Sequence, residues 1–313
     1  MTDSTIPGDW RIGWRGREMS RPVFVAVGYD GLRMLSGDGR SWGSAMFGQE
    51  GEVLRSAAVG NGRAVAVGTR GGDQVLTSSV DGVNWTRTRR EGGYGGYVRT
   101  VQFDGRRFLG LGGDPGSVSA ANPYVLLSED GANWEGPNPI GGRFMIRRIA
   151  FGDGVYVGVG DRGRRAWSRD AIHWEDSPDV KALETLIDIA HGGGVFVGVG
   201  LHGLRWRTID GRKWLEPIHG EEGEHLNSIV WAGDRFVAVG QGATYLSPDG
   251  VNWERRPNHD APVTVCYHEG LFVGAKWKGR LQVSRDGIVW ESVARMDRHI
   301  EAVAAGRIGP TRS

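Results

Sequence analysis

Arginine recurs at equivalent places in three consecutive segments of the sequence. Arg55, Arg99 and Arg147 each hold the second position of a short, mostly apolar stretch, and Arg148 directly follows the last of them. Guanidinium groups donate paired hydrogen bonds that match carboxylate and phosphate oxygens. If the fold places the three segments side by side, these side chains form a basic arc suited to an anionic ligand. The alternative is that they pack over neighbouring segments and pair with local acids.

Acidic and aromatic residues extend this candidate site. Asp188 holds the position of Arg148 in the next segment and could pair with it, and Glu301 holds the arginine position in the last segment. Tyr94 and Tyr97 lie among glycines, where they could stack on a sugar or planar ligand or belong to a mobile surface loop. The predicted ligand-binding set is Arg55, Arg99, Arg147, Arg148, Asp188, Tyr94, Tyr97 and Glu301. The sequence assigns no catalytic set.

The elements that must position these residues are copies of one repeat of about 40 residues. Each copy has an apolar opening stretch, a glycine turn, a β-branched and aromatic run, and a box of the form Ser/Thr-x-Asp-Gly-x-x-Trp. The seven boxes end at Trp42, Trp85, Trp134, Trp174, Trp214, Trp253 and Trp290. Asp and Ser accept backbone N–H groups and Gly supplies a positive φ, so the box predicts a rigid turn between third and fourth strands. A unit of this length predicts one propeller blade.

Two features of the box give local predictions. We expect each tryptophan to offer its apolar face to the next blade, while its indole N–H needs a polar partner. The fourth copy has Ala171 where six others have Gly. If its backbone is left-handed, alanine costs about 1 kcal/mol, so we predict that Ala171→Gly is stabilising.

The box resembles the Asp-box, or BNR repeat, of sialidase-like β-propellers, one residue shorter than the common Ser-x-Asp-x-Gly-x-Thr-Trp form. The resemblance covers about residues 23–303 and implies an all-β, seven-bladed propeller with four-stranded antiparallel blades. In that family the boxes face away from the active site, which implies that the box aspartates are structural. The family includes glycosidases, lectins and assembly factors, so the resemblance implies no single function.

The ends of the chain predict how the ring closes. Residues 300–304 copy the opening stretch, so a C-terminal strand is expected to join an N-terminal blade and remove both sheet edges. The N-terminal segment could instead supply this strand. We divide the chain into an N-terminal extension (1–20) with Trp10 and Trp14 as anchors, one propeller (21–306) and a tail (307–313).

Aligning the opening stretches gives two further columns. The fourth position is apolar throughout, which predicts packing between blades: Ala57, Val101, Ile149, Ile189, Ile229, Val265 and Val303. The third is polar except in the last copy, and we expect it to form the wall of the central channel: Ser56, Thr100, Arg148, Asp188, Ser228, Thr264 and Ala302. The long insertion 112–124 is expected to form a lip over the channel.

Standard catalytic and cofactor motifs are incomplete. Thr5-Ile6-Pro7 lacks the arginine that the sialidase resemblance implies, and no nucleophile elbow occurs. The glycines of residues 158–163 match the spacing of a dinucleotide-binding fingerprint. The structural context of such a site is absent, since no helix is expected to follow. The segment 219–225 contains metal donors, but we interpret it as a solvated acidic loop. We expect no cofactor and no metal.

Composition limits the classes of partner. The 38 basic and 37 acidic residues give a formal net charge of +1, which offers no broad attraction to nucleic acid or an anionic membrane. A single cysteine excludes an internal disulfide framework, and residues 1–13 lack the pattern of an export signal. We therefore expect a soluble, cytoplasmic monomer.

Taken together, these features predict a propeller that binds a small or medium ligand, anionic or sugar-like, at its channel mouth. Two alternatives remain open. An enzyme such as a glycoside hydrolase, lyase or cyclase would use the same pocket, with Asp188, Glu301 or a tyrosine as acid or base. A protein-interaction scaffold would instead use the rim and expose a contiguous apolar patch.

Overall fold

Seven antiparallel sheets form the blades of a β-propeller in the computed structural model, which describes residues 20–88, 97–114, 122–178 and 185–310. Blades 1 to 3 contain β1 (Arg21–Gly28), β2 (Arg33–Ser36), β3 (Glu52–Gly60), β4 (Arg63–Arg70), β5 (Asp73–Ser79), β6 (Thr86–Arg87), β7 (Tyr97–Phe103), β8 (Phe108–Gly113), β9 (Tyr124–Ser128) and β10 (Glu135–Pro139). Blades 4 and 5 contain β11 (Ile146–Gly152), β12 (Val155–Gly160), β13 (Arg165–Ser168), β14 (Glu175–Asp176), β15 (Leu186–Gly192), β16 (Val195–Gly200) and β17 (Arg205–Thr208). Blades 6 and 7 contain β18 (His225–Trp231), β19 (Phe236–Gln241), β20 (Ala243–Ser247), β21 (Glu254–Pro257), β22 (Thr264–His268), β23 (Leu271–Lys276), β24 (Arg280–Ser284) and β25 (Glu291–Arg295). The last strand is β26 (Ile300–Ile308), and the 3-10 turn Asp161–Gly163 follows β12.

The blades are four-stranded, as predicted, with the outermost strand reduced in two of them. In blade 1 a single bridge between Arg33 and Met46 stands in its place, and in blade 5 bridges join Arg205 to Ile218 and Thr208 to Trp214. The described residues contain no helix of the length and apolar character needed to cross a membrane.

A C-terminal strand closes the ring. β26 pairs antiparallel with β1, from Arg21 opposite Ile308 to Gly28 opposite Ile300, and becomes the innermost strand of blade 1. The prediction from the 300–304 stretch is confirmed, and the strand continues to Ile308. The pairing leaves neither end of the chain as an open sheet edge in blade 1.

Hydrophobic cores fill the spaces between adjacent blades. The apolar fourth-column residues lie in or against these cores, as predicted; Val101, Ile149, Ile189, Ile229 and Val265 are at most 5% exposed. The seven box tryptophans also pack there, but the expectation that they face the next blade is wrong. Trp253, for example, packs against a core formed by its own blade and the preceding blade. The repeat spacing predicts that each tryptophan side chain contacts a neighbouring blade. The twist of the sheet determines whether that blade is the preceding or the next one.

Each box forms the expected turn between the third and fourth strands. In blade 2, Asp81 Oδ1 accepts the N–H groups of Val83 (2.8 Å) and Asn84 (2.7 Å), and the same pair of bonds recurs in the other six boxes. Burial alone would raise the pKa of Asp81, but these hydrogen bonds outweigh it and lower that pKa to about 2. The carboxylates are thus engaged in their own turns, which agrees with a structural role.

Candidate functional site at the upper mouth of the channel

The inner strands of the blades surround a central channel. They are β26, β3, β7, β11, β15, β18 and β22, and each contacts its two neighbours around the ring. Because every blade repeats the same up-and-down order, all inner strands begin at one end, which we call the upper mouth; the boxes lie on the opposite, lower face. The second-column residues therefore form a ring at the upper mouth, and all are half-buried: Arg55, Arg99, Arg147, Ile187, Asn227, Val263 and Glu301.

Blades 2, 3 and 4 contribute the three arginines of this ring, and acids lie against Arg147 and Arg55. Arg147 Nε donates to Asp161 Oδ1, in the 3-10 turn of its own blade. Arg55 Nη1 lies 3.8 Å from Glu301 Oε2, on the inner strand of blade 1. These contacts support the alternative of local pairing for Arg55 and Arg147 without removing either side chain from the mouth.

Arg148 and Asp188 form a second charged layer beneath the ring. Arg148 Nε lies 3.7 Å from Asp188 Oδ1, and Arg148 Nη1 also donates to Thr100 Oγ1. Burial lowers the pKa of Arg148 and raises that of Asp188, while their mutual attraction opposes both shifts. Positive charge on Arg99 and Arg147 lowers the pKa of Arg148 further, so Arg99 also contributes to the local potential.

Side chains of the polar third column connect adjacent blades. Ser56 Oγ accepts the Val101 N–H (3.2 Å), Asp188 Oδ2 accepts the Ile229 N–H (3.0 Å), and Ser228 Oγ accepts the Val265 N–H (3.3 Å). Each acceptor lies one blade before its donor. Because an innermost strand is a sheet edge with unpaired N–H groups, these side chains satisfy that edge. Ser56, Thr100 and Ser228 are buried, so the expected polar wall is wrong for these positions.

The remaining expected site residues lie partly outside the described residues. Tyr94 lies outside the described residues. Tyr97 is the first residue of β7, and the structure describes its backbone only. The middle of the 112–124 insertion is also outside, so its expected place over the channel stays a prediction.

Three aromatic residues at the upper mouth were missed by the sequence reasoning. Trp277, in the turn after β23, is 63% exposed, and Tyr29, directly after β1, is 39% exposed. The ring of His299 lies between them, with centroid distances of 4.6 Å to Trp277 and 5.4 Å to Tyr29. We call these three residues the aromatic cluster. The available signal was Trp277 itself, a tryptophan outside the boxes with lysine on either side.

The 219–225 segment is exposed at His219 and at residues 221–223, as predicted, but Glu224 is buried. Glu224 is 3% exposed, accepts the Tyr245 hydroxyl group, and pairs with Arg255 at 2.7 Å. Its interpretation as a solvated acidic loop is wrong for Glu224, because its carboxylate is needed by neighbouring buried donors. No three His, Cys, Asp or Glu side chains gather as a metal site in the described part of the chain.

A groove of about 560 Å³ lies on the lower face between blades 6 and 7. It is lined in part by Arg235, Trp253 and Asp286, whose polar groups form hydrogen bonds within the protein. Arg235 Nη2 donates to the Asp286 carbonyl (3.3 Å), and Trp253 Nε1 donates to the Gly250 carbonyl (3.1 Å). These contacts hold adjacent box turns, and we assign the groove no function.

Comparisons with known proteins show the fold alone. No protein-family model matches the sequence, and no curated protein matches it. A solved structure of YCF48 bound to D1 peptide is similar, with TM-score 0.60, 14% identity, and coverage of 80% of this chain and 86% of that one. The WD40 propeller domain of Doa1 is also similar, with TM-score 0.59, 13% identity, and coverage of 80% and 84%. YCF48 from Cyanidioschyzon merolae gives TM-score 0.54 and 15% identity, covering 83% and 87%.

These similarities support the propeller fold predicted from the repeats. The narrower resemblance to sialidase-like propellers stays a prediction, as does binding of a carbohydrate.

Proposed function

We propose that the chain is a binding protein that holds an acidic segment of a polypeptide partner across the upper mouth. The observation that carries the proposal is the convergence of Arg55, Arg99 and Arg147, from adjacent blades, above Arg148. At this mouth Arg55 faces Glu301, Arg147 faces Asp161 and Arg148 faces Asp188. Several guanidinium groups from adjacent blades can donate paired hydrogen bonds to one carboxylate of the partner, so the arrangement favours an anionic group.

The geometry of the ion pairs also favours an incoming carboxylate. Charge-assisted hydrogen bonds of full strength are about 2.7–2.9 Å long. The closest charged atoms are 3.8 Å apart in the Arg55–Glu301 pair and 3.7 Å apart in the Arg148–Asp188 pair. Both guanidinium groups therefore keep donor capacity for a ligand that approaches from the open side of the mouth.

A polypeptide fits this mouth better than a small metabolite because the rim carries exposed rings in addition to charge. Aromatic residues and arginine are enriched at protein interfaces, and Trp277 and Tyr29 supply such rings here. The YCF48 structure contains a bound peptide, and it has the same fold. This precedent supports a peptide ligand for the present chain without specifying its sequence.

A thermal-shift screen tests the proposal. Acidic peptides, neutral peptides, acidic sugars, neutral sugars and phosphorylated metabolites are compared on the wild-type protein, on Arg147→Ala and on Arg106→Ala. Arg106 is an exposed arginine beside Glu129 and serves as the matched control. A ligand at 100 times its Kd adds about 2.7 kcal/mol of stability. We expect acidic peptides to raise Tm in the wild type and the control but not in Arg147→Ala. A response confined to sugars or metabolites, or one unaffected by Arg147→Ala, contradicts the proposal.

A further inference from the structure

The aromatic cluster brings together three segments that are far apart in the sequence. Tyr29 lies at the end of β1, Trp277 between β23 and β24, and His299 just before β26. The Tyr29 N–H donates to the His299 carbonyl (3.1 Å), and Arg298 Nε donates to Asp30 Oδ2 (2.8 Å). These bonds hold the segments that carry Tyr29 and His299 together before any partner arrives, which lowers the entropic cost of binding.

The cluster is continuous with the arginine ring. Glu301 Oε1 lies 3.7 Å from His299 Nε2, and Glu301 Oε2 lies 3.8 Å from Arg55 Nη1. A single carboxylate thus links the rings to the basic arc. An extended segment that continues from Arg55 past Glu301 and His299 reaches Trp277.

Two nitrogen atoms in this region lack a hydrogen-bond partner. Arg55 Nε and His299 Nδ1 are both buried, and no described residue accepts a bond from either of them. Buried donors without acceptors are uncommon in folded proteins and cost free energy. Both side chains approach Glu301 through their other nitrogen atoms, Arg55 Nη1 and His299 Nε2, so the unsatisfied atoms lie where the arginine ring meets the aromatic cluster.

We propose that the aromatic cluster is the second subsite of the upper mouth, which takes an apolar side chain next to the acidic residue of the bound peptide. This inference rests on the proposed function. Several charges near the cluster face a charge of opposite sign: Glu301 faces Arg55, Arg298 faces Asp30, and Lys276 faces Asp260. What the cluster offers is therefore ring surface, and an aromatic or large aliphatic side chain matches it. The partner is an acidic peptide segment with an apolar residue close to its carboxylate.

Selection from a random peptide library displayed on phage tests both subsites. The wild-type protein, Trp277→Ala, Arg147→Ala and Phe47→Ala serve as targets. Phe47 is 51% exposed and lies outside the cluster, so it controls for loss of an exposed ring. We expect wild type and Phe47→Ala to enrich peptides that combine acidic and apolar residues. Trp277→Ala should keep the acidic preference and lose the apolar one, whereas Arg147→Ala should lose the acidic preference.

A binding titration with one selected peptide then measures the energetic coupling between Trp277 and the apolar residue of that peptide. We expect Trp277→Ala to weaken binding about tenfold, as an interface hot spot does. Replacing the apolar residue of the peptide by serine should weaken binding similarly, and Trp277→Ala should then add less than about a twofold effect. Enrichment of acidic peptides without an apolar preference, or affinity within about twofold for Trp277→Ala, overturns the subsite but leaves the proposed function standing. Enrichment without an acidic preference, or no enrichment, overturns both.

Discussion

At the residue scale, the box glycines occupy places that a side chain cannot fill. Gly250 has φ of 76°, and a Cβ atom added to it would lie 2.5 Å from Val197 Cγ2 of the preceding blade. Ala171 confirms the expected left-handed conformation with φ of 65°, and its methyl group is fully buried. The fourth blade therefore accommodates one carbon atom that the sixth blade excludes.

This contrast predicts opposite responses to paired substitutions. Gly250→Ala should lower the free energy of unfolding by about 2 kcal/mol, because strain and overpacking add. Ala171→Gly relieves about 1 kcal/mol of strain but loses a buried methyl group worth about 0.8 kcal/mol. The gain predicted from the sequence should therefore be small. Denaturant unfolding measures both variants, and a Gly250→Ala protein as stable as wild type would contradict the account.

The hydrogen bonds of the box aspartates lead us to expect that the folded protein loses stability in acid. Hydrogen bonds hold the pKa values of Asp38, Asp81, Asp130 and Asp249 at about 2, below the ordinary value of 3.8, although burial alone would raise all four. A depressed folded-state pKa stabilises the protein above about pH 4, and this stabilisation is lost as the pH falls towards 2.

Asp249→Asn tests this directly. The variant should be less stable than wild type at neutral pH, and the difference should shrink between about pH 4 and pH 2. Asp73→Asn, at an exposed position outside the boxes, is the control. Stability curves for Asp249→Asn and wild type that stay parallel through this range would argue against the hydrogen-bonded carboxylate as the cause.

At the element scale, each inner strand depends on the blade before it for part of its hydrogen bonding. Ser56 Oγ accepts the Val101 N–H at 3.2 Å and donates to the Val101 carbonyl at 3.3 Å, across the boundary between blades 2 and 3. The polar third column therefore helps to hold adjacent blades of the ring together.

Ser56→Ala should reduce the free energy of unfolding by about 1–3 kcal/mol, because it leaves a buried N–H without its acceptor. Ser292→Ala, at an exposed position of β25, is the matched control and should change stability by less than about 0.5 kcal/mol. Equal stability of the two variants in thermal unfolding would remove the inter-blade role of Ser56.

A buried glutamate lies where the chain passes from blade 1 to blade 2 and from blade 5 to blade 6. Glu52 is 2% exposed and pairs with Arg33 of blade 1 and Arg87 of blade 2, whereas Glu224 is 3% exposed and pairs with Arg255 of blade 6. In both places the carboxylate follows a turn that begins with glycine. Glu52 therefore joins two blades, and Glu224 pairs within the blade that it enters.

Repeat pattern and box chemistry predicted the strands, the turns and the closing strand because these depend on local periodicity and backbone conformation. The packing direction of the tryptophans could not be predicted, since it depends on sheet twist. The second-column arginines were found from their spacing, whereas their partners Asp161 and Glu301 depend on how blades meet. The aromatic cluster was missed because His299 and Trp277 belong to different blades and to turns without a shared motif.

At the scale of the whole molecule, the ring depends on β26. A chain ending at residue 299 lacks the innermost strand of blade 1 and exposes the edge of β1, so we expect it to aggregate or unfold without cooperativity. A chain ending at residue 310 keeps every described strand and should behave as the full-length protein. Calorimetry compares the two. A cooperative, wild-type transition in the chain ending at residue 299 would show that closure does not stabilise the ring.

Amide hydrogen exchange, measured with and without an acidic peptide selected on the wild-type protein, tests the central claim most directly. We predict slower exchange at the upper mouth, in the turn 161–163, at the starts of β3 and β11, and in the turn 276–280. Exchange in the box turns of the lower face should stay unchanged. Protection centred on the lower face, or no protection at a peptide concentration that saturates binding, would contradict a binding site at the upper mouth.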